Sequence, residues 1–126
     1  MLGQAFGLLC TIRFLAHRWH DPQFPSAANH SISYSDAPDA SFQFAFRGSA
    51  VTWVYTKAPN RGMAEVLVDG RSMGQVDLYS SESIWQSRTE FGGLSAGEHV
   101  LEVKVLGRKN PQSSGSFVDV DELIVQ

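Results

Sequence analysis

The chain has one cysteine, Cys10, among its 126 residues. A single thiol makes no internal disulfide and no cysteine metal cluster. In the apolar run around Cys10 a buried, inert thiol is the default. Long hydrophobic stretches are also missing. The opening MLGQAFGLLCTI falls short of the ~20 residues a membrane-spanning helix needs. It carries neither the basic region nor the small-residue cleavage site of a signal peptide, so it is read as part of the fold or as a non-native leader. Positive charge is scarce: 10 Lys and Arg stand against 13 Asp and Glu, a net charge of −3. Neither a nucleic-acid backbone nor an anionic membrane is therefore an expected partner. Arg61, Arg71, Arg88, Arg108 and Lys109 are read as dispersed, solvated charge. Low-complexity tracts and internal repeats are absent.

What is present is β pattern. Phe42, Phe44 and Phe46 alternate with Gln43, Ala45 and Arg47, the period of a half-buried strand. Asp69-Gly70, closing the run MAEVLV, is a tight hairpin signal. Strands are expected near 30–35, 41–47, 50–57, 63–69, 73–79, 83–90, 98–106 and 116–125, separated by Pro, Gly and Asn breakers. On 98–106, His99, Leu101, Val103 and Val105 share one side, and Glu98, Glu102 and Lys104 the other. On 63–69, Ala64, Val66 and Val68 oppose Met63, Glu65, Leu67 and Asp69. Residues 1–20 fit either a helical stripe (Leu8, Leu9, Ile12, Leu15, Ala16) or a strand over TIRFLA. Short strands at this spacing predict an all-β, antiparallel β-sandwich with jelly-roll topology. Residues 1–29 are expected to form an N-terminal arm and loop, packed on the sandwich or on a partner, with 30–126 as the sandwich domain. The apolar segment 1–20 makes a homo-oligomer the expectation for assembly.

The segments FAFRGSAVTWVYTKAPNRGMAEVLVDG, VDLYS and LSAGEHVLEVKVLGRKNPQSSGSFVDVDELIV carry a family pattern. Trp53 follows a strand begun at Gly48, a valine-rich strand ends at Asp69-Gly70, Gly97-Glu98-His99 opens a strand, and Lys109, Asn110, Ser113, Ser114 and Gly115 form a polar loop before Val118–Asp121. From Ser31 to Gln126 the chain resembles the small jelly-roll modules of the galactose-binding-like fold that sit beside bacterial glycoside hydrolases and other secreted enzymes. The resemblance implies a non-catalytic, carbohydrate-binding role, an extracellular setting, and a structural calcium as the metal to look for.

Carbohydrate binding needs exposed aromatic rings for stacking on sugar C–H faces and polar groups for the hydroxyls. The candidates are Tyr55, Tyr79 and Trp85, with Asp77, Lys109 and Asn110 as polar partners and Glu82 beside them. Trp53, mid-strand among valines, is read as core. Asp119 and Asp121 lie two apart on one expected strand and so would share a face. They are candidate calcium ligands, or else they pair with lysine or arginine or cap loop amides. His17 and His20 with Asp21 form an H-x-x-H-D cluster that suits a transition metal or a solvated surface, and His30 carries no further signal. His99 is expected to bond a neighbouring loop. For catalysis, Asp77 with Glu82 and Asp119 with Asp121 are the available carboxylate pairs. Ser113-Ser114 lacks a nucleophile-elbow context, so the chain is expected not to be an enzyme. The alternative function is a protein-interaction or self-assembly sandwich.

Overall fold

A computed structural model describes residues 11–15, Trp19 and residues 33–126. Among them the regular elements are all strands: β1 (Thr11–Leu15), β2 (Ser33–Ser35), β3 (Ser41–Arg47), β4 (Val51–Lys57), β5 (Met63–Val68), β6 (Arg71–Asp77), β7 (Ile84–Phe91), β8 (Glu98–Val105), β9 (Val118–Val120) and β10 (Glu122–Val125). They form a five-stranded sheet in the order β1-β3-β8-β5-β6, a three-stranded sheet β10-β4-β7 and a short ladder β2-β9. Every ladder is antiparallel. The chain is an antiparallel β-sandwich of the jelly-roll kind.

The alternation seen in sequence sets the inner face of the larger sheet. Phe42, Phe44 and Phe46 of β3, Ala64, Val66 and Val68 of β5, and Leu101, Val103 and Val105 of β8 are all buried. Across the core they meet Val51, Trp53 and Tyr55 of β4 and Leu123 of β10. β4 is buried along its length to Thr56 because it is the central strand of its sheet. Glu65, Glu102 and Lys104 face outward and are half-buried, as period-2 geometry requires.

The β5–β6 connection is the two-residue turn Asp69-Gly70. Both residues adopt positive φ, 54° and 80°, the type I′ geometry that Asp-Gly pairs favour because it matches strand twist. Residues 11–15 form the outer strand of the five-stranded sheet, Ile12 opposite Phe44 and Phe14 opposite Phe42. The Trp19 ring lies 5.1 Å from Phe14 and 5.9 Å from Phe42. Here a strand, not a helix, resolves the ambiguous sequence. Residues 1–10, including Cys10, Leu8 and Leu9, lie outside the described residues. So do Ala16, His17, His20, Asp21 and His30, and the metal reading of the histidine cluster with them.

One expected strand is corrected. The segment 116–125 divides at Asp121. β9 pairs with β2, whereas β10 pairs with β4 in another sheet. Asp121 donates its N–H to the Val54 carbonyl at the crossing point. Asp119 and Asp121 therefore do not belong to one continuous strand.

Candidate functional site

One end of the sandwich is built from three irregular segments: 58–62 after β4, 78–83 between β6 and β7, and 106–117 between β8 and β9. Backbone bonds fasten them together. Ala58 N–H donates to Leu78 O (3.1 Å), Ser80 N–H to Ala58 O (3.2 Å), Gly62 N–H to Phe117 O (2.7 Å) and Met63 N–H to Arg108 O (3.0 Å). The Ser113 hydroxyl lies 2.9 Å from Pro59 O and 2.7 Å from both Arg61 O and Gly115 O. It is buried and closes the 106–117 loop onto the 58–62 loop. Gly62 is required there, because a Cβ would sit 2.5 Å from Ser116 Cα and 2.6 Å from its carbonyl carbon and oxygen.

This scaffold gathers Asp77, Tyr79, Lys109 and Asn110. Asp77 Oδ1 accepts the Tyr79 N–H (3.0 Å), and Asp77 Oδ2 accepts from Asn110 Nδ2 (3.3 Å). Asn110 Oδ1 in turn accepts the Gln112 N–H (3.0 Å), and Lys109 Nζ donates to Ser113 O (2.9 Å). Tyr79 and Asp77 are half-buried; Lys109 and Glu82 are exposed. Trp85 belongs to the same end by register. Its neighbour Ile84 pairs with Lys57, and the next residue, Ala58, bridges Tyr79. The β4–β7 ladder slips between Tyr55 and Lys57. Gln86, at φ 58°, takes up the bulge beside Trp85. Such bulges re-aim side chains at the rims of sandwiches. Ile84 is 48% exposed, and Trp85 is half-buried.

Tyr55 is not part of this surface, which corrects the expectation from sequence. It is 3% exposed. Its ring lies 4.4 Å from Trp53, and its hydroxyl bonds Thr89 Oγ1 at 2.8 Å. The residue points inward on the same face of β4 as Trp53, so it stacks in the core.

Asp119 and Asp121 are buried. Asp119 lies 3.5 Å from Arg61 Nε and accepts the Thr56 N–H at 3.1 Å on both oxygens. Of the readings open in sequence, Asp119 takes that of arginine partner and amide cap. Burial pushes its carboxyl up to about 6, against the pull of Arg61 and the Thr56 amide. No group of three or more His, Cys, Asp or Glu is placed to hold a metal ion among the described residues. Arg61 itself was missed: it is 8% exposed, not solvated, and its guanidinium also donates to Asn60 Oδ1 at 2.7 Å. Nothing in the local sequence marks it out from the other arginines, because its partner lies far along the chain.

No protein family model matches the chain. The A type blood N-acetyl-α-D-galactosamine deacetylase of Flavonifractor plautii is 32% identical over 85 residues. A Flavonifractor plautii α-D-galactosamine galactosaminidase is 29% identical over 85 residues. Each alignment takes in 68% of this chain, yet the chain spans only 11% and 8% of those relatives. Among solved structures, a Paenibacillus xanthan lyase superimposes with a TM-score of 0.67 at 18% identity, over 91% of this chain and 12% of that one. A two-domain esterase active on acetylated mannans, co-crystallized with mannopentaose, gives 0.67 at 14% identity, over 89% of this chain and 33% of that one. At these identities the structural likeness concerns the fold.

Proposed function

We propose that this chain is a carbohydrate-binding module with no catalytic step of its own. It would engage glycan at the end of the sandwich formed by Asp77, Tyr79, Trp85, Lys109 and Asn110. The observation that carries the reading is the convergence of two segments distant in sequence, one holding Asp77 and Tyr79 and the other Lys109 and Asn110, on one hydrogen-bonded loop scaffold. Aromatic rings beside fixed polar groups are what sugar recognition needs: apolar C–H faces stack, and hydroxyls bond. The names of the similar proteins favour the same class. Two act on galactosamine-type sugars and others on polysaccharides, and the matched piece is a small part of each.

The non-catalytic reading rests on the carboxylates. Asp119 is enclosed and engaged by Arg61, and so is unsuited to flank a glycosidic bond. Both Asp77 oxygens are taken up by donors of the loop scaffold, the Tyr79 N–H and Asn110 Nδ2. Galactosamine and N-acetylgalactosamine termini are the first ligands to try. A glycan array probed with the tagged chain tests the reading: selective capture of one terminal sugar class is the expected result. Signal on no glycan, from protein whose circular dichroism reports an intact β fold, would overturn it. In that case the exposed Ile84, Met73 and Val100 turn attention to the protein-interaction alternative.

A further inference from the structure

At the opposite end of the sandwich, His99 sits between two hydrogen-bond acceptors. Its Nδ1 lies 2.6 Å from Asp69 Oδ2, and its Nε2 lies 2.6 Å from the Ser95 carbonyl oxygen. Asp69 belongs to the β5–β6 turn and Ser95 to the 92–97 connection between β7 and β8, so one imidazole joins two separate loops to the start of β8. Asp69 is itself fixed. Its Oδ1 accepts the Val100 N–H at 2.8 Å, and its own N–H donates to Val100 O at 2.8 Å.

A neutral imidazole has one N–H and one bare nitrogen. It cannot donate to a carboxylate and a carbonyl at once, and the bare nitrogen would meet an oxygen lone pair at 2.6 Å. Only the imidazolium, with two N–H groups, satisfies both contacts. The carboxylate is the stronger acceptor. On loss of one proton, therefore, Nδ1–H stays on Asp69 and the Ser95 contact is given up. We propose that His99 is a proton-dependent latch: protonated, it holds the 92–97 loop against the β5–β6 turn, and deprotonated, it releases that loop while keeping its bond to Asp69.

The surroundings leave control of the latch with Asp69. Opposite His99 on β3 is Phe46, its ring 5.7 Å away. Arg47 and Glu98 pair with each other at 3.5 Å, both largely exposed. Arg71, across the hairpin from Val68, and Glu90 of β7 are exposed. The loop 92–97 (GGLSAG) has no ionisable side chain. Accordingly the bond to Asp69, then that to Ser95, holds the His99 ring above its ordinary value of 6.5, and the partnership holds Asp69 below its own 3.8. Two further bonds tether the loop, Leu94 N–H to Ser49 O (3.1 Å) and Gly48 N–H to Gly97 O (2.9 Å). Release therefore loosens a segment without unfolding the sandwich.

The test is nitrogen-15 NMR of the imidazole, together with amide hydrogen exchange, through a pH series on the whole chain. Both His99 nitrogens are expected to read as protonated below the midpoint. Above it, Nε2 alone loses its proton, and the amides of the 92–97 loop exchange faster than the intrinsic base-catalysed rise. Asp69→Asn shifts both the titration and the onset of loop exchange to lower pH together. Two results would overturn the latch: a neutral His99 with one fixed tautomer across the acidic range, or loop exchange that follows only the intrinsic rate in wild type and variant alike.

Discussion

Replacing Arg61 with methionine removes the guanidinium beside Asp119 and leaves a carboxylate of 0% side-chain exposure without its counter-charge. Breaking a buried pair from one side costs about 3–5 kcal/mol, because the surviving charge stays desolvated. In the fold the Asp119 carboxyl sits at about 6 against an ordinary 3.8. That gap corresponds to about 3 kcal/mol that ionised Asp119 withdraws from stability even with Arg61 present. The sign is fixed. Between 3.8 and 6 the unfolded chain has released this proton while the folded chain keeps it, so the contribution is whole below 3.8 and gone above 6. With Arg61→Met the folded carboxyl rises further. The variant should then lose about 3–5 kcal/mol near pH 8 and clearly less near pH 5, where Asp119 takes up a proton. Asp119→Asn keeps an oxygen for the Thr56 N–H, so adding it to Arg61→Met should restore much of the loss. Urea unfolding of the wild type, both single variants and the double variant at the two pH values measures this. A loss under about 1 kcal/mol near pH 8, or equal losses at both pH values, would refute the reasoning.

Other perturbations follow from the packing. Gly62→Ala places a Cβ 2.5 Å from Ser116 backbone; in urea unfolding it should cost more stability than the ~1–3 kcal/mol of ordinary overpacking, since backbone must move. Phe42→Ala empties a fully buried site beneath Trp53 and Trp19 and should cost about 3–5 kcal/mol by the same assay. Tyr55→Phe removes only the hydroxyl bonded to Thr89. A loss of about 0.5–1.5 kcal/mol in stability with unchanged glycan affinity is expected, and weakened affinity would return Tyr55 to the site.

Strand positions were legible from sequence because period-2 alternation and breaker residues are local signals. Phe42, Phe44 and Phe46, and the Asp69-Gly70 turn, appear where the pattern puts them. The break at Asp121 was not legible. Val118 to Val125 reads as one continuous strand, and only the pairing of β9 with β2 and of β10 with β4 divides it. Tyr55 misled for a related reason. Proximity to a loop in sequence does not say which face of a strand a ring occupies, and here register with Trp53 places it in the core. Side-chain chemistry marks Asp77, Tyr79, Lys109 and Asn110 in the sequence, and the family pattern marks Lys109 and Asn110 as well; their meeting depends on the Ala58, Gly62 and Ser113 bonds that close three loops together. Arg61 was unreadable, since a buried arginine differs from a solvated one only through its distant partner Asp119.

The central claim is that the end of the sandwich holding Asp77, Tyr79, Trp85, Lys109 and Asn110 binds glycan. Its most direct test is a titration of the nitrogen-15-labelled chain with galactosamine- and N-acetylgalactosamine-terminated oligosaccharides, followed by NMR shift mapping. The account predicts saturable shifts concentrated in residues 77–85 and 107–115 and in the Trp85 indole N–H, reduced at least about tenfold in affinity by Trp85→Ala or Tyr79→Ala, a change of about 1.4 kcal/mol. Shifts centred on another face, or none from any glycan with a well-folded spectrum, would contradict it.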